Sequence, residues 1–218
     1  MMARWVGALI VVFARLLTGV QARWRGAPPM ALPTVYFANH TSHGDFVLLW
    51  ASLPGDLRER TRPVAAADYW LRSGLRRFIG CAVFGALLID RDPARDRAAA
   101  GPGPSSGPLE QMEAALQGGD SLILFPEGTR NVGDELLLPF KSGIYHLASR
   151  HPEVRLVPVW IENLRRVLPK GSWLPVPLAC SVDFGAPLAR VEGEDKVAFL
   201  ARARQALLSL RPDGDRDE

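Results

Sequence analysis

TVYFANHTSHGDF, residues 34–46, decides how this chain is read. Its opening TVYFA (34–38) is β-branched and aromatic without a turn residue, the composition of a buried strand. From Asp45 through Trp50 the pattern reads as the start of a helix, with Thr41 or Ser42 available as its cap. Between the two, His40, Thr41, Ser42, His43, Gly44 and Asp45 crowd into one connection. Groups of this kind can perform chemistry, hold a metal or merely cap the helix.

Working outward, RPVAAA (62–67) and GALLID (85–90) read as further strands, separated by a short helix carrying WLRSGLRRFIG. AAAGPGPSSGP (98–108) is too rich in Gly, Pro and Ser for regular structure. Leu109, Met112 and Leu116 then recur at helical spacing, and Gly118-Gly119 ends that helix. SLILF (121–125) has the continuous apolar character of an interior strand. VRLVPVWI (154–161) and LACSVDFG (178–185) add two more strands, and DKVAFLARARQALLSL (195–210) is an amphipathic closing helix. Strands alternating with helices predict an α/β fold: a mixed, largely parallel central sheet flanked by helices. One domain over 27–211 is expected, followed by a charged tail at 212–218 and preceded by a helix within 1–26.

That first segment carries the asymmetry of an otherwise ordinary composition. The 218 residues are 48% apolar with a net charge of +3. Yet Arg4, Arg15, Arg23 and Arg25 all precede the first acidic residue, Asp45. This points to an anionic membrane surface, and the absence of a basic stripe interleaved with stacking aromatics argues against nucleic acid. The apolar run WVGALIVVFA (5–14) is well short of the ~20 residues a spanning helix needs. Wound as one helix of about 24 residues, it would present a basic edge and a broad apolar face, with Trp5 and Trp24 as interfacial anchors. An amphipathic helix at the cytoplasmic face of the inner or plasma membrane is therefore expected; a cleaved signal peptide and an ordinary packed helix are the alternatives. Cys81 and Cys180, far apart and without a CxxC, fit reduced thiols.

For the crowded connection, a dyad is the most economical chemistry. Five residues apart, His40 and Asp45 share no face of one continuous helix, so a turn must fold the carboxylate back onto the imidazole. An imidazole so oriented is a good general base near neutral pH. No serine stands in a GxSxG setting and neither cysteine neighbours a histidine, so the nucleophile would be the substrate's own hydroxyl. LFPEGTR (124–130) lies at the end of another strand, where Glu127, Thr129 and Arg130 would project into the region in which α/β sheets bind ligands. Arg130 offers a fork for phosphate, with Glu127 orienting it or accepting from a substrate hydroxyl. Arg91 ends a third strand, and Lys141 adds a cation. His43 is expected to support the turn or face solvent, while His146 and His151 read as solvated helix-end residues. A competing reading lets His40, His43 and Asp45 ligate a metal for hydrolysis, which leaves FPEGTR unexplained. A non-catalytic lipid-binding protein is the other rival.

NHTSHGD resembles the N-H-x-x-x-x-D block of the glycerolipid acyltransferases, which include the 1-acylglycerol-3-phosphate acyltransferases. FPEGTR is similar to their F-P-E-G-T-R block, GALLID with Arg91 to a further block, and VPVWI to a fourth. Four blocks in the right order are far more specific than any one. The resemblance implies transfer of a fatty acyl group from acyl-CoA or acyl carrier protein, as co-substrate, to the free hydroxyl of a lysophospholipid, with 1-acylglycerol-3-phosphate the leading acceptor. Other lysolipids and glycerol 3-phosphate are the alternatives. By position it implies His40 as base and Asp45 as its partner. Arg91, Glu127, Gly128, Thr129, Arg130 and Lys141 make up the expected acceptor-phosphate site, and Pro158 falls in the acyl-chain block. Neither a metal nor a cofactor is implied, and the membrane is the expected partner.

Overall fold

Every side chain of TVYFA is buried, and the strand it forms is the middle one of a seven-stranded sheet. The computed structural model describes residues 1–26, 28–90, 107–162, 180–189 and 191–212. Along the chain the elements are α1 (Met2–Thr18), β1 (Gln21–Trp24), β2 (Thr34–Ala38), α2 (Asp45–Ser52), α3 (Gly55–Glu59), β3 (Thr61–Ala66), α4 (Ala67–Trp70), α5 (Gly74–Arg77) and a π-helical turn (Phe78–Val83). Then follow β4 (Leu87–Ile89), α6 (Pro108–Gln117), β5 (Ser121–Leu124), α7 (Gly143–Arg150), β6 (Arg155–Glu162), β7 (Ser181–Phe184) and α8 (Lys196–Leu208).

The strand order is β1-β7-β6-β2-β5-β3-β4. Five strands from β6 to β4 run parallel, β7 turns antiparallel against β6, and β1 runs parallel to β7 at the edge. This is the mixed, largely parallel α/β sheet expected. The alternation of β2 divides the core. Tyr36 and Ala38 join Ile123, Val157 and Phe184 under α1 and α2, while Val35 and Phe37 join Leu122, Leu156 and Trp160 under α6, α7 and α8. Burial of each such large side chain contributes ~1.5–3 kcal/mol before the entropy of ordering is counted.

The N-terminal segment departs from expectation. The helix stops at Thr18, where Gly19 adopts a left-handed conformation (φ 53°) and donates to the Arg15 carbonyl. Residues 21–24, expected to continue it, form β1 instead. Trp24 stacks on Phe184 with ring centroids 3.9 Å apart, so it is a core contact rather than an interfacial anchor. The arginines are also used differently. Arg15 donates from Nε and Nη2 to the Ala51 carbonyl, at 3.1 and 2.8 Å, and so caps the end of α2, where the helix dipole favours a cation. Arg4 pairs with Glu59 at 2.9 Å.

The side of α1 turned away from the domain is apolar. Trp5, Leu9, Val12, Phe13 and Leu16 are all more than half exposed. At about 100° per residue they fall within ~100° of one another, opposite the buried Gly7, Val11, Ala14 and Thr18. Among the described residues no helix is long and apolar enough to cross a membrane.

Candidate active site

Neither Thr41 nor Ser42 caps α2. Instead, the loop of residues 41–44 wraps around the first side chain of that helix. Asp45 is fully buried, and its Oδ2 accepts from the backbone N–H of Thr41 (2.6 Å) and of Ser42 (2.8 Å). The same oxygen lies 2.9 Å from Nδ1 of His40, whose side chain is 16% exposed. The fold-back that the five-residue spacing required is therefore present. A carboxylate acting on Nδ1 selects the tautomer with its proton there and leaves the Nε2 lone pair for an incoming hydroxyl. Asp45 Oδ1 is buried with no hydrogen-bond partner among the described residues. The imidazole also stacks on Phe125, centroid to centroid 4.1 Å, which fixes the ring plane.

The loop after β5 is clamped to the loop after β2 by the backbone of His40 itself. The His40 N–H donates to Glu127 Oε1 at 2.8 Å, and its carbonyl accepts from Asn131 N–H at 2.7 Å. Glu127 Oε2 accepts from Leu138 N–H at 2.8 Å. Glu127 is only 2% exposed, and burial raises its pKa against the lowering pull of those two amides. Both oxygens are thus bonded to backbone amides, and no ion pair with Arg130 forms among the described residues. Glu127 is a brace that holds the two loops in register.

Gly128 is likewise a turn residue rather than an anion contact. Its φ of +70° lies in the left-handed region that favours glycine, and its N–H is spent on the Phe125 carbonyl at 3.0 Å. A Cβ there would meet Cγ of Lys141 at 3.2 Å, so the lysine stem lies against this turn, and Lys141 N–H holds the Pro126 carbonyl at 2.7 Å. Thr129 is exposed and Arg130 half-buried beside the dyad. Neither Arg130 nor Lys141 forms an ion pair among the described residues, so both cations are available to an anion. Arg91 lies outside the described residues, as do positions 98–106 of the Gly/Pro/Ser-rich stretch.

Pro158 is buried within β6, opposite Phe37 of β2. By strand alternation it lies on the Leu156 and Trp160 side of the sheet, away from α2 and its Asp45. Its carbonyl accepts from Gly185 N–H at 2.9 Å. The missing N–H therefore faces the end of β7.

His43 stacks on Tyr69 (5.6 Å), and burial, then the charge of Arg130, lowers its pKa. Among the described residues no three His, Cys, Asp or Glu side chains are grouped to hold a metal, so the metal-hydrolase reading has no geometric support. Both cysteines are free thiols, and burial pushes Cys180 up to about 11, which leaves it a poor nucleophile. His146 lies inside α7, edge-on to Tyr145. His151, expected to be solvated, is buried and 3.2 Å from Glu153.

Sequence reading missed Asn39 and Asn131. Asn39 replaces a strand pairing at the end of β2, its side-chain amide donating to the Ile161 carbonyl and accepting from Ile161 N–H. Asn131 follows the FPEGTR turn, and its side chain donates to the Glu135 carbonyl. An asparagine directly after an apolar strand or a tight turn was the available signal in each case.

Comparison with known proteins places this geometry. A family model described as Acyltransferase matches residues 24–162. The chain is 27% identical over 189 residues to a 1-acyl-sn-glycerol-3-phosphate acyltransferase of Limnanthes alba, and 26% identical over 189 residues to one of Limnanthes douglasii. Each alignment covers 84% of this chain and 58% of the relative, so the chain spans little more than half the length of those proteins. The fold is similar to the crystal structure of the 1-acyl-sn-glycerophosphate (LPA) acyltransferase PlsC from Thermotoga maritima. That match has a TM-score of 0.69 at 19% identity and covers 99% of this chain and 83% of the other.

Proposed function

The chain belongs to the Acyltransferase family, and from that premise we propose that it moves a fatty acyl group from acyl-CoA or acyl carrier protein to the free hydroxyl of 1-acylglycerol-3-phosphate, giving phosphatidic acid. The observation that carries this reading is the 2.9 Å His40–Asp45 dyad at the C-terminal end of a parallel strand, beside a loop bearing Arg130. The two Limnanthes relatives, both 1-acyl-sn-glycerol-3-phosphate acyltransferases by name, support the choice of acceptor.

In the proposed step, Nε2 of His40 removes the hydroxyl proton as the oxygen attacks the thioester carbonyl. The tetrahedral oxyanion then collapses with cleavage of the carbon–sulfur bond. The imidazolium returns its proton to the departing thiolate, so the dyad ends as it began. Asp45 holds the ring and stabilises its transient charge, while Arg130 and Lys141 bind the acceptor's phosphate. The step as written needs neither a metal nor a redox cofactor.

The acceptor is a lipid, and the exposed apolar side of α1 supports docking on a bilayer at the interface. Deleting residues 1–24 would also strip β1 from the sheet, so point substitutions are the better probe. Trp5→Glu with Phe13→Glu should release the protein from phosphatidylglycerol-containing vesicles while its thermal midpoint is kept. Retention on the vesicles would mean that another surface binds.

The function itself is tested with purified protein, one acyl-CoA and one acyl carrier protein thioester, against 1-acylglycerol-3-phosphate, other lysolipids and glycerol 3-phosphate, with mass spectrometry of the products. Phosphatidic acid formed by the wild type and not by His40→Ala supports the reading. Product from neither protein points to a lipid binder, and equal product from both defeats the mechanism.

A further inference from the structure

One group of side chains beside the dyad has no part in the chemistry described so far. Tyr69, in α4, carries His43 stacked on its ring at 5.6 Å and 19° and the guanidinium carbon of Arg76 at 4.6 Å from its centroid. The three belong to different segments: the loop after β2, the helix after β3, and α5. Tyr69 is anchored by its neighbours, and the backbone of Arg76 by a helix cap. Tyr69 meets Trp70 edge-on at 5.4 Å, and Trp70 meets Phe46, the residue after Asp45, at 5.8 Å. Arg76 lies in the first turn of α5, where its N–H donates to the capping Ser73 hydroxyl at 3.3 Å.

The charges around this ladder share one sign. The charge of Arg130, and to a lesser extent that of Arg76, opposes protonation of His43. Two guanidinium groups from separate segments therefore lie within electrostatic reach of one imidazole, and neither has a carboxylate ion-pair partner among the described residues. An aromatic ring can hold a guanidinium by its face and leave the N–H edges free to donate. The ligand chemistry that satisfies two forks is a phosphomonoester, with three acceptor oxygens and close to two negative charges at neutral pH.

We propose that Arg76, propped on the Tyr69 ring, is a second guanidinium of the acceptor's anion site alongside Arg130, and that it sets the preference for phosphomonoester acceptors over uncharged ones. This deepens the acyltransferase reading and rests on it. His43, stacked on the same ring, lines the site as a hydrogen-bonding partner of the phosphate.

The test compares Arg76→Ala, Arg76→Lys, Tyr69→Leu and Arg130→Ala with wild type, using 1-acylglycerol-3-phosphate and, as the uncharged acceptor, monoacylglycerol. Arg76→Ala should raise KM for the phosphate acceptor about tenfold, the loss of one charge-assisted contact. Its kcat, its KM for monoacylglycerol and its KM for the acyl donor should stay within about twofold of wild type. Arg76→Lys should recover part of the loss, and Tyr69→Leu should move in the same direction by less. Equal rises for both acceptors would assign Arg76 to packing, and a rise confined to the donor would assign it to the thioester carrier; either overturns the proposal.

Calorimetric binding of glycerol 3-phosphate separates this inference from the function it rests on. If the wild type acylates no lysolipid, the functional reading falls. Binding of glycerol 3-phosphate that weakens about tenfold in Arg76→Ala still upholds the anion site. Unchanged binding in that variant, or no binding by the wild type, overturns it.

Discussion

Two histidine–carboxylate pairs lie at opposite ends of the parallel strands. His40 meets Asp45 at 2.9 Å beyond the C-terminal end of β2, and His151 meets Glu153 at 3.2 Å just before β6 begins. Contact distance barely distinguishes them; the carboxylate's surroundings do. Asp45 is 0% exposed and held by two backbone amides, whereas the Glu153 side chain is 67% exposed. Water can replace Glu153 at little cost, and His151 has a second acidic neighbour, Glu113 at 4.0 Å, itself bonded to Arg150. A pair is fit to serve as a general-base dyad when the protein fixes the acid first and lets the base be seen. A pair whose acid is free to leave is a piece of surface electrostatics.

The sharpest way to break this comparison is to remove each imidazole. His40→Ala should lower kcat by ~10²–10⁴-fold, the usual worth of a general base, with the thermal midpoint little changed. Next in size is the brace. Glu127→Ala leaves the His40 and Leu138 amides without their acceptor, at a cost of roughly 1–3 kcal/mol for each buried group. Urea unfolding should show that loss, and kcat should fall about tenfold or more as the base drifts from its position.

His151→Ala, by contrast, should cost roughly 1–2 kcal/mol of stability and leave kcat within about twofold of wild type. A large kcat loss there would abolish the distinction drawn between the two pairs. The smallest effect concerns pH. Burial raises Glu127 above its ordinary 4.5, so the folded state holds that proton more tightly than the unfolded chain. The linked stability is fully present below 4.5 and is lost as pH rises through the raised value. In Glu127→Gln, urea midpoints should therefore vary less with pH across that window.

Much of the sheet was legible because TVYFA and SLILF are apolar on both faces, as only interior strands are. QARW was not. Its exposure pattern is that of an edge, and it joins the sheet through backbone pairing to β7 and the Trp24 stack, neither of which has a local periodic trace. GIYHLASR escaped notice as α7 because eight residues offer only Ile144 and Leu147 as buried anchors. In the site, His40 and Asp45 could be read together because a short loop joins them. Glu127 could not: a glutamate between proline and glycine looks like an exposed turn, and the amides that bury it lie 87 and 11 residues away. Tyr69 and Arg76 were hidden for the same reason, since a ring ladder built from three segments has no linear signature.

The grip of Arg15 on Ala51 has a mechanical consequence. Asp45 begins the helix in which Ala51 sits, and the six intervening steps at ~1.5 Å each make a rod about 9 Å long. No hinge interrupts it. The carboxylate that orients His40 is thereby tied, through one short rigid segment, to the helix that bears Trp5 and Phe13.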